Sequence, residues 1–219
     1  MKTTHIMLGG LLSAMLVLGG CASKTTSQAE YSGFLSSYEG LTKTQTASGS
    51  TVMRWVDPNF NIANYDKVMF QPVGFYPTPL PSERISQQTY NDLLGYTNSR
   101  LSDALSKRLQ LVGPNSGPRT LVFRGAITGV DAATQGLKPY EVIPVALVVA
   151  GAMTAAGQRD QNTELYLEGE LIDSATGQPV LRVVRKGLGK SLSDDKQAVT
   201  ADDLHSVIDN LTQDVLSFR

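Results

Sequence analysis

The stretch Thr163–Gly187, TELYLEGELIDSATGQPVLRVVRKG, constrains the fold of this 219-residue chain most strongly. Leu165, Leu167 and Leu171 share one parity, and Glu168 and Glu170 share the other. A period of two is that of a β-strand, whose successive side chains point to opposite faces. Asp173, Thr176 and Gly177 supply a turn, because Asp and Thr bond nearby backbone and Gly tolerates positive φ. The segment therefore predicts two antiparallel strands with an apolar face. Glu168 and Glu170 are expected on the solvent face, where acids on a strand usually lie.

An apolar sheet face must be covered, and two stretches have the helical period to do it. In Ser82–Leu111, the residues Ile85, Tyr90, Leu93, Leu94, Leu101, Ala104, Leu105 and Leu109 recur at spacings of three and four. Ser82 after Pro81 is the expected N-cap, and Gly113-Pro114 the stop. Near the end, Leu204, Val207, Ile208, Leu211, Val215 and Phe218 line a second helix, with Thr200 and Asp203 as a variant capping box. Further strands are read at Tyr65–Val73 and Arg119–Val130. The order β-α-β, apolar segment, β-β-α predicts an α+β fold: a small mixed sheet with two amphipathic helices packed on one face, its first two strands parallel.

Three other segments are less regular. YSGFLSSYEGL repeats Tyr31, Phe34, Leu35 and Tyr38 at helical spacing and is expected to pack on its own domain. TKTQTASGST, residues 42–51, reads as loop. Val142–Gln158 carries no charge over 17 residues. It reads as a buried core element, as an exposed apolar surface for a membrane or partner, or as a membrane-inserting element of an oligomer. Val145, Leu147, Val148, Val149 and Met153 are its candidate interface residues.

The N-terminus carries an address. Lys2 precedes an apolar run that ends in small residues, the pattern of a secretory signal peptide. The run is too short and glycine-rich for a transmembrane helix. Leu18, Gly19, Gly20 and Cys21 resemble the bacterial lipobox, and Cys21 is the chain's only cysteine. The resemblance implies cleavage before Cys21, a diacylglycerol on its sulfur and acylation of the new amino group. Two or three acyl chains anchor a protein durably, where one does so marginally. Ala22 stands where aspartate would retain a Gram-negative lipoprotein in the inner membrane, so the analogy points to the outer membrane, facing the periplasm. The expected organisation is a signal peptide over 1–20, a lipidated tether with a short aromatic segment over 21–51, and a periplasmic domain over 52–219.

Catalytic patterns are absent. A net charge of −1 argues against nucleic acid as a partner. With one cysteine and, after the signal, one histidine (His205), no zinc cluster is available. His205 lies off the apolar stripe of the last helix and is expected in solvent. Gly187–Ser191, GLGKS, lacks the first glycine of a phosphate loop, since Val184 stands there, and reads as a polar loop. Glu168 and Glu170 are the one carboxylate pair with a spacing that glycoside hydrolysis could use.

The lipobox, YSGFLSSYEGL, YDKVMFQPV before a long helix, and ELIDSATGQPV before the last strand together resemble a bacterial lipoprotein family known as domain of unknown function 3313. That family has no established activity, so the resemblance implies no catalytic residues. A fainter likeness is to the periplasmic α/β domain of curli-type secretion lipoproteins, in which the insertion between two such strands alternates in polarity; Val142–Gln158 does not. The expected function is non-catalytic: a membrane-anchored envelope lipoprotein, without cofactor beyond the lipid on Cys21, that binds another envelope component. The alternatives are a subunit of an oligomeric export or assembly complex and a cell-wall or glycan hydrolase.

Overall fold

The alternating segments pair into one mixed sheet of eight strands. The computed structural model describes residues 25–134, 161–194 and 196–218. The strands are β1 (Thr42–Gln45), β2 (Thr51–Val56), β3 (Lys67–Phe70) and β4 (Gly74–Phe75), then, after helix α1 (Gln87–Ser106), β5 (Gln110–Leu111), β6 (Thr120–Thr134), β7 (Gln161–Asp173) and β8 (Pro179–Leu192). Helix α2 (His205–Ser217) follows. The sheet order is β1-β2-β8-β7-β6-β3-β5, with β4 also on β6. β3, joined to β6 through α1, runs parallel to it as expected, while β6, β7, β8, β2 and β1 are antiparallel.

Both helices cover one face. Tyr90, Leu93 and Leu101 of α1 and Val207 and Ile208 of α2 join Ile127, Leu165 and Leu167 of the sheet in the main core cluster. Each such aliphatic side chain, fully buried, contributes about 1.5–3 kcal/mol. The fold class is the α+β class expected.

Several boundaries differ from the sequence reading. Helix α1 starts at Ser86, whose hydroxyl accepts from the Thr89 N–H at 3.0 Å. Ser82 caps a turn instead, accepting from the Arg84 and Ile85 N–H groups. The helix ends at Ser106 because Gln110 and Leu111 peel away to pair with Lys67 and Val68 of β3. Residues 42–51 are not simply loop: Thr42–Gln45 is the edge strand β1, and Thr51 opens β2. The domain thus begins before residue 52.

Gly187–Ser191 is no loop either, but part of β8. A β-carbon on Gly187 would overlap Val207 of α2, and one on Gly189 would overlap the Asp203 carbonyl. These glycines let the last helix and its lead-in lie directly on the strand, which is a packing role. His205 is not fully solvated: its ring stacks on Tyr96 at a centroid distance of 3.7 Å, and Nδ1 lies 3.3 Å from Asp202.

The β7–β8 turn forms as read. Gly177 has φ of 68°, and the Asp173 carboxylate accepts from the Ala175 and Thr176 N–H groups. The Tyr65 hydroxyl also donates to Asp173 at 2.7 Å. This hydroxyl, more than the two backbone N–H groups, holds the Asp173 carboxyl below its ordinary range against the opposing effect of burial. Burial and Asp173 in turn push Tyr65 up to about 12. A depressed folded carboxylate stabilises above its unfolded pKa of about 4, and that stability is lost as pH falls through the folded value. Tyr65→Phe is therefore expected to lower stability at neutral pH and flatten the acid limb of a melting-temperature profile below about pH 4. An acid limb identical to the parent's would show that this bond contributes nothing.

Candidate functional site

On the face away from the helices, strand parity aligns a row of charges. Register sets Arg124 of β6 opposite Glu170 of β7, and Glu170 opposite Arg182 of β8. Tyr166 lies opposite Lys186 on the same face. Glu164, Glu168 and Glu170 are all buried, at 2%, 2% and 1% exposure. This corrects the expectation that Glu168 and Glu170 face solvent. An antiparallel sheet face is polar when water covers it, but here the chain's own N-terminal segment does.

That segment, residues 26–41, lies across the row as a strap. It contains one 3-10 turn, Gln28–Glu30, and is irregular over Tyr31–Leu41, where helical spacing suggested a helix. Gly33 and Gly40 take positive φ there, at 88° and 75°, which a helix does not allow. The apolar residues still pack on the domain, as expected: Leu35 is buried, Phe34 meets Tyr76, and Tyr31 stacks on Tyr38. Gly40 sits against Trp55, where a β-carbon would come within 2.7 Å of the indole.

Each carboxylate is held by a defined set of donors. Glu168 accepts from the Ser32 N–H at 2.9 Å and from the Tyr38 hydroxyl, and among the described residues no cation is ion-paired with it. Glu170 pairs with Arg124 at 2.5 Å and accepts from the Ser36 hydroxyl at 2.8 Å and the Ser36 N–H at 3.3 Å. Glu164 pairs with Lys186 at 2.8 Å and accepts from the Tyr166 hydroxyl at 2.7 Å. Arg124 also stacks on Phe34 and donates to its carbonyl, and Arg182 lies 4.1 Å above Trp55. Burial raises the Tyr38 hydroxyl above its ordinary range, and its bond to Glu168 raises it further. Burial and the Glu164 carboxylate raise Tyr166 in the same sense. Both phenols thus stay protonated donors. The arrangement can clamp a polypeptide segment onto a sheet; it leaves the carboxylates no open approach for a substrate.

Sequence reasoning missed this clamp, although its parts were visible. Arg124, Arg182 and Lys186 match the acids in parity, and Ser32, Ser36 and Tyr38 are donors within the strap. What joins the strap's donors to the acids is pairing across 130 to 136 positions. Cys21 with Leu18, Gly19 and Gly20, and the interface candidates Val145, Leu147, Val148, Val149 and Met153, lie outside the described residues. Among the described residues, no cluster of His, Cys, Asp or Glu could hold a metal, and no helix is long and apolar enough to cross a membrane.

A family model described as "Protein of unknown function (DUF3313)" matches residues 30–215, a span that includes most of the strap. The chain belongs to this family. The uncharacterized lipoprotein YdcL of Escherichia coli is 46% identical over 218 residues, covering 100% of this chain and 98% of that protein. Among solved structures, a PelC dodecamer from Paraburkholderia phytofirmans is similar at 12% identity and a TM-score of 0.39, covering 77% of this chain and 98% of that one. A PDZ domain protein from Parabacteroides distasonis is similar at 11% identity and a TM-score of 0.42, over 77% of this chain and 35% of that one.

Proposed function

We propose that this protein is a lipid-anchored envelope protein, held at Cys21 in the outer membrane and facing the periplasm, whose domain binds another envelope component without catalysis. The reading rests chiefly on the strap. Thr26 is buried on the domain, so five peptide steps separate it from Cys21. At about 3.5 Å per residue these reach at most ~18 Å. With the strap released, the free chain would run from Cys21 to β1 at Thr42 and reach ~70 Å. The clamp thus sets how far from the membrane the domain can work, and so its effective concentration near a partner. The name of the 46%-identical relative as a lipoprotein supports the anchor, and Ala22 after the cysteine supports the outer membrane by analogy. The closed carboxylates count against the glycan-hydrolase alternative.

The test uses the full chain in its own cells. Cys21→Ala is expected to abolish metabolic labelling by palmitate and to move the protein out of the outer-membrane fraction. An unlabelled wild type, or a variant that fractionates unchanged, would refute the anchor. Full complementation of a deletion strain by a secreted, unlipidated domain would refute tethering as the mechanism.

A further inference from the structure

The helix-covered face of the sheet holds a cavity of about 150 Å³. One rung of the sheet lines it: Gly125 of β6 lies opposite Gly169 of β7, then come Val183 of β8 and Arg54 of β2. The Phe123 ring leans over the two glycines, 3.0 Å from where a Gly125 β-carbon would stand, and itself lines the cavity. Leu101 and Leu105 of α1 and Leu211 and Val215 of α2 line the cavity from the helix side. The lining is overwhelmingly apolar. A void of this size lined by such residues stays dry and accepts a small apolar molecule.

Two cations give the occupant a second property. Arg54 and Arg108 both line the cavity and are half-buried, and both converge on the end of α2. The Arg54 guanidinium lies 5.4 Å from the Phe218 ring centre. Arg108 donates through Nη1 to the Val215 and Leu216 carbonyls. Among the described residues neither is ion-paired with a carboxylate. The third arginine of the lining, Arg185, is neutralised by Asp214. An apolar slot beside two arginines that pair with no carboxylate among the described residues fits a molecule that is apolar along its length and anionic at one end.

We infer that this cavity binds the acyl chain of an anionic amphiphile, with its head group at Arg54 and Arg108. The inference is independent of the strap and of the anchor at Cys21. Free fatty acids and acidic lysophospholipids share this chemistry, and the test separates them.

The full-length protein in lipid nanodiscs is photolabelled with diazirine-bearing octanoate, with diazirine-bearing octanol and, in a separate arm, with a diazirine-bearing lysophosphatidic acid. Label sites are mapped by mass spectrometry. Octanoate label is expected on the end of α1 around Leu105 and on β8 around Val183, and to fall severalfold under excess octanoate. Replacing both Arg54 and Arg108 by Gln should reduce octanoate label about tenfold while leaving octanol label unchanged, since a charge-assisted contact is lost and the apolar one kept. Val183→Phe should remove both labels by filling the slot. Gly169→Ala, whose β-carbon would make only ordinary contacts, should fold normally and weaken both. Cavity labelling by the lysophospholipid alone assigns a membrane lipid, and labelling by octanoate alone a free fatty acid. Label confined to exposed positions, or indifferent to the arginines and to the filling variants in protein with an unchanged melting curve, overturns the inference.

Discussion

Gly189→Ala is expected to be the most damaging small substitution in the molecule. Its β-carbon would meet the Asp203 carbonyl and the Thr163 hydroxyl, and Asp203 is itself fixed by accepting from the Thr200 N–H and hydroxyl. Overpacking of this kind costs about 1–3 kcal/mol where side chains can yield. Here a backbone carbonyl is the obstacle, so about 3 kcal/mol or more is expected, a melting-temperature drop of about 10 °C for a chain of this size. Gly187→Ala should behave similarly, because Val207, buried in the core, has nowhere to move. Gly95→Ala is the control: it lies in the exposed middle of α1 with nothing within 4 Å, and should stabilise by about 0.5–1 kcal/mol. Thermal melts of the three variants decide the matter. Equal melting temperatures for Gly189→Ala and the parent would mean that α2 does not seat on β8 as described.

Glu170→Ala carries the second large effect. It removes the partner of Arg124 and the acceptor of both Ser36 bonds. Breaking a buried pair by deleting one member costs about 3–5 kcal/mol when the survivor stays buried. The Arg124 side chain is 38% exposed and can regain water, so about 2 kcal/mol is expected in global stability. The more specific readout is local. Amide exchange at Ser32 and Ser36 should quicken by more than tenfold, as the strap lifts while the helix-covered core remains folded. Glu170→Gln keeps the volume and an acceptor and should fall between the two. Glu168→Gln should likewise loosen Ser32 and Tyr38. Unchanged exchange in all of them would show that the strap is held by its aromatic contacts alone.

The strap also shows where sequence reasoning reached its limit. Tyr31, Phe34, Leu35 and Tyr38 have helical spacing, but the partners they need are on β6 and β7, and the best contacts are made by an irregular chain with two positive-φ glycines. Local periodicity reports which residues want burial; it does not report the shape in which they achieve it. Burial of Glu168 and Glu170 was invisible for the same reason. Alternation separates two faces of a strand, and only the tertiary placement of residues 26–41 decides whether the polar face meets water or donors. GLGKS was misread because the need for its glycines arises from α2, which approaches β8 in space.

Local pattern alone determined a good deal: strands where β3, β6, β7 and the first part of β8 lie, the two amphipathic helices, the Asp173–Gly177 turn and the α+β class. These follow from side-chain parity, helical period and turn chemistry, which act over a few residues. The tertiary structure alone decided that the sheet has eight strands, that both of its faces are covered, that the acids are clamped, and that a cavity lies beside Arg54 and Arg108. Each of these depends on register between strands distant in the chain. Register is set by the summed packing of whole faces, and no short stretch of sequence contains that sum.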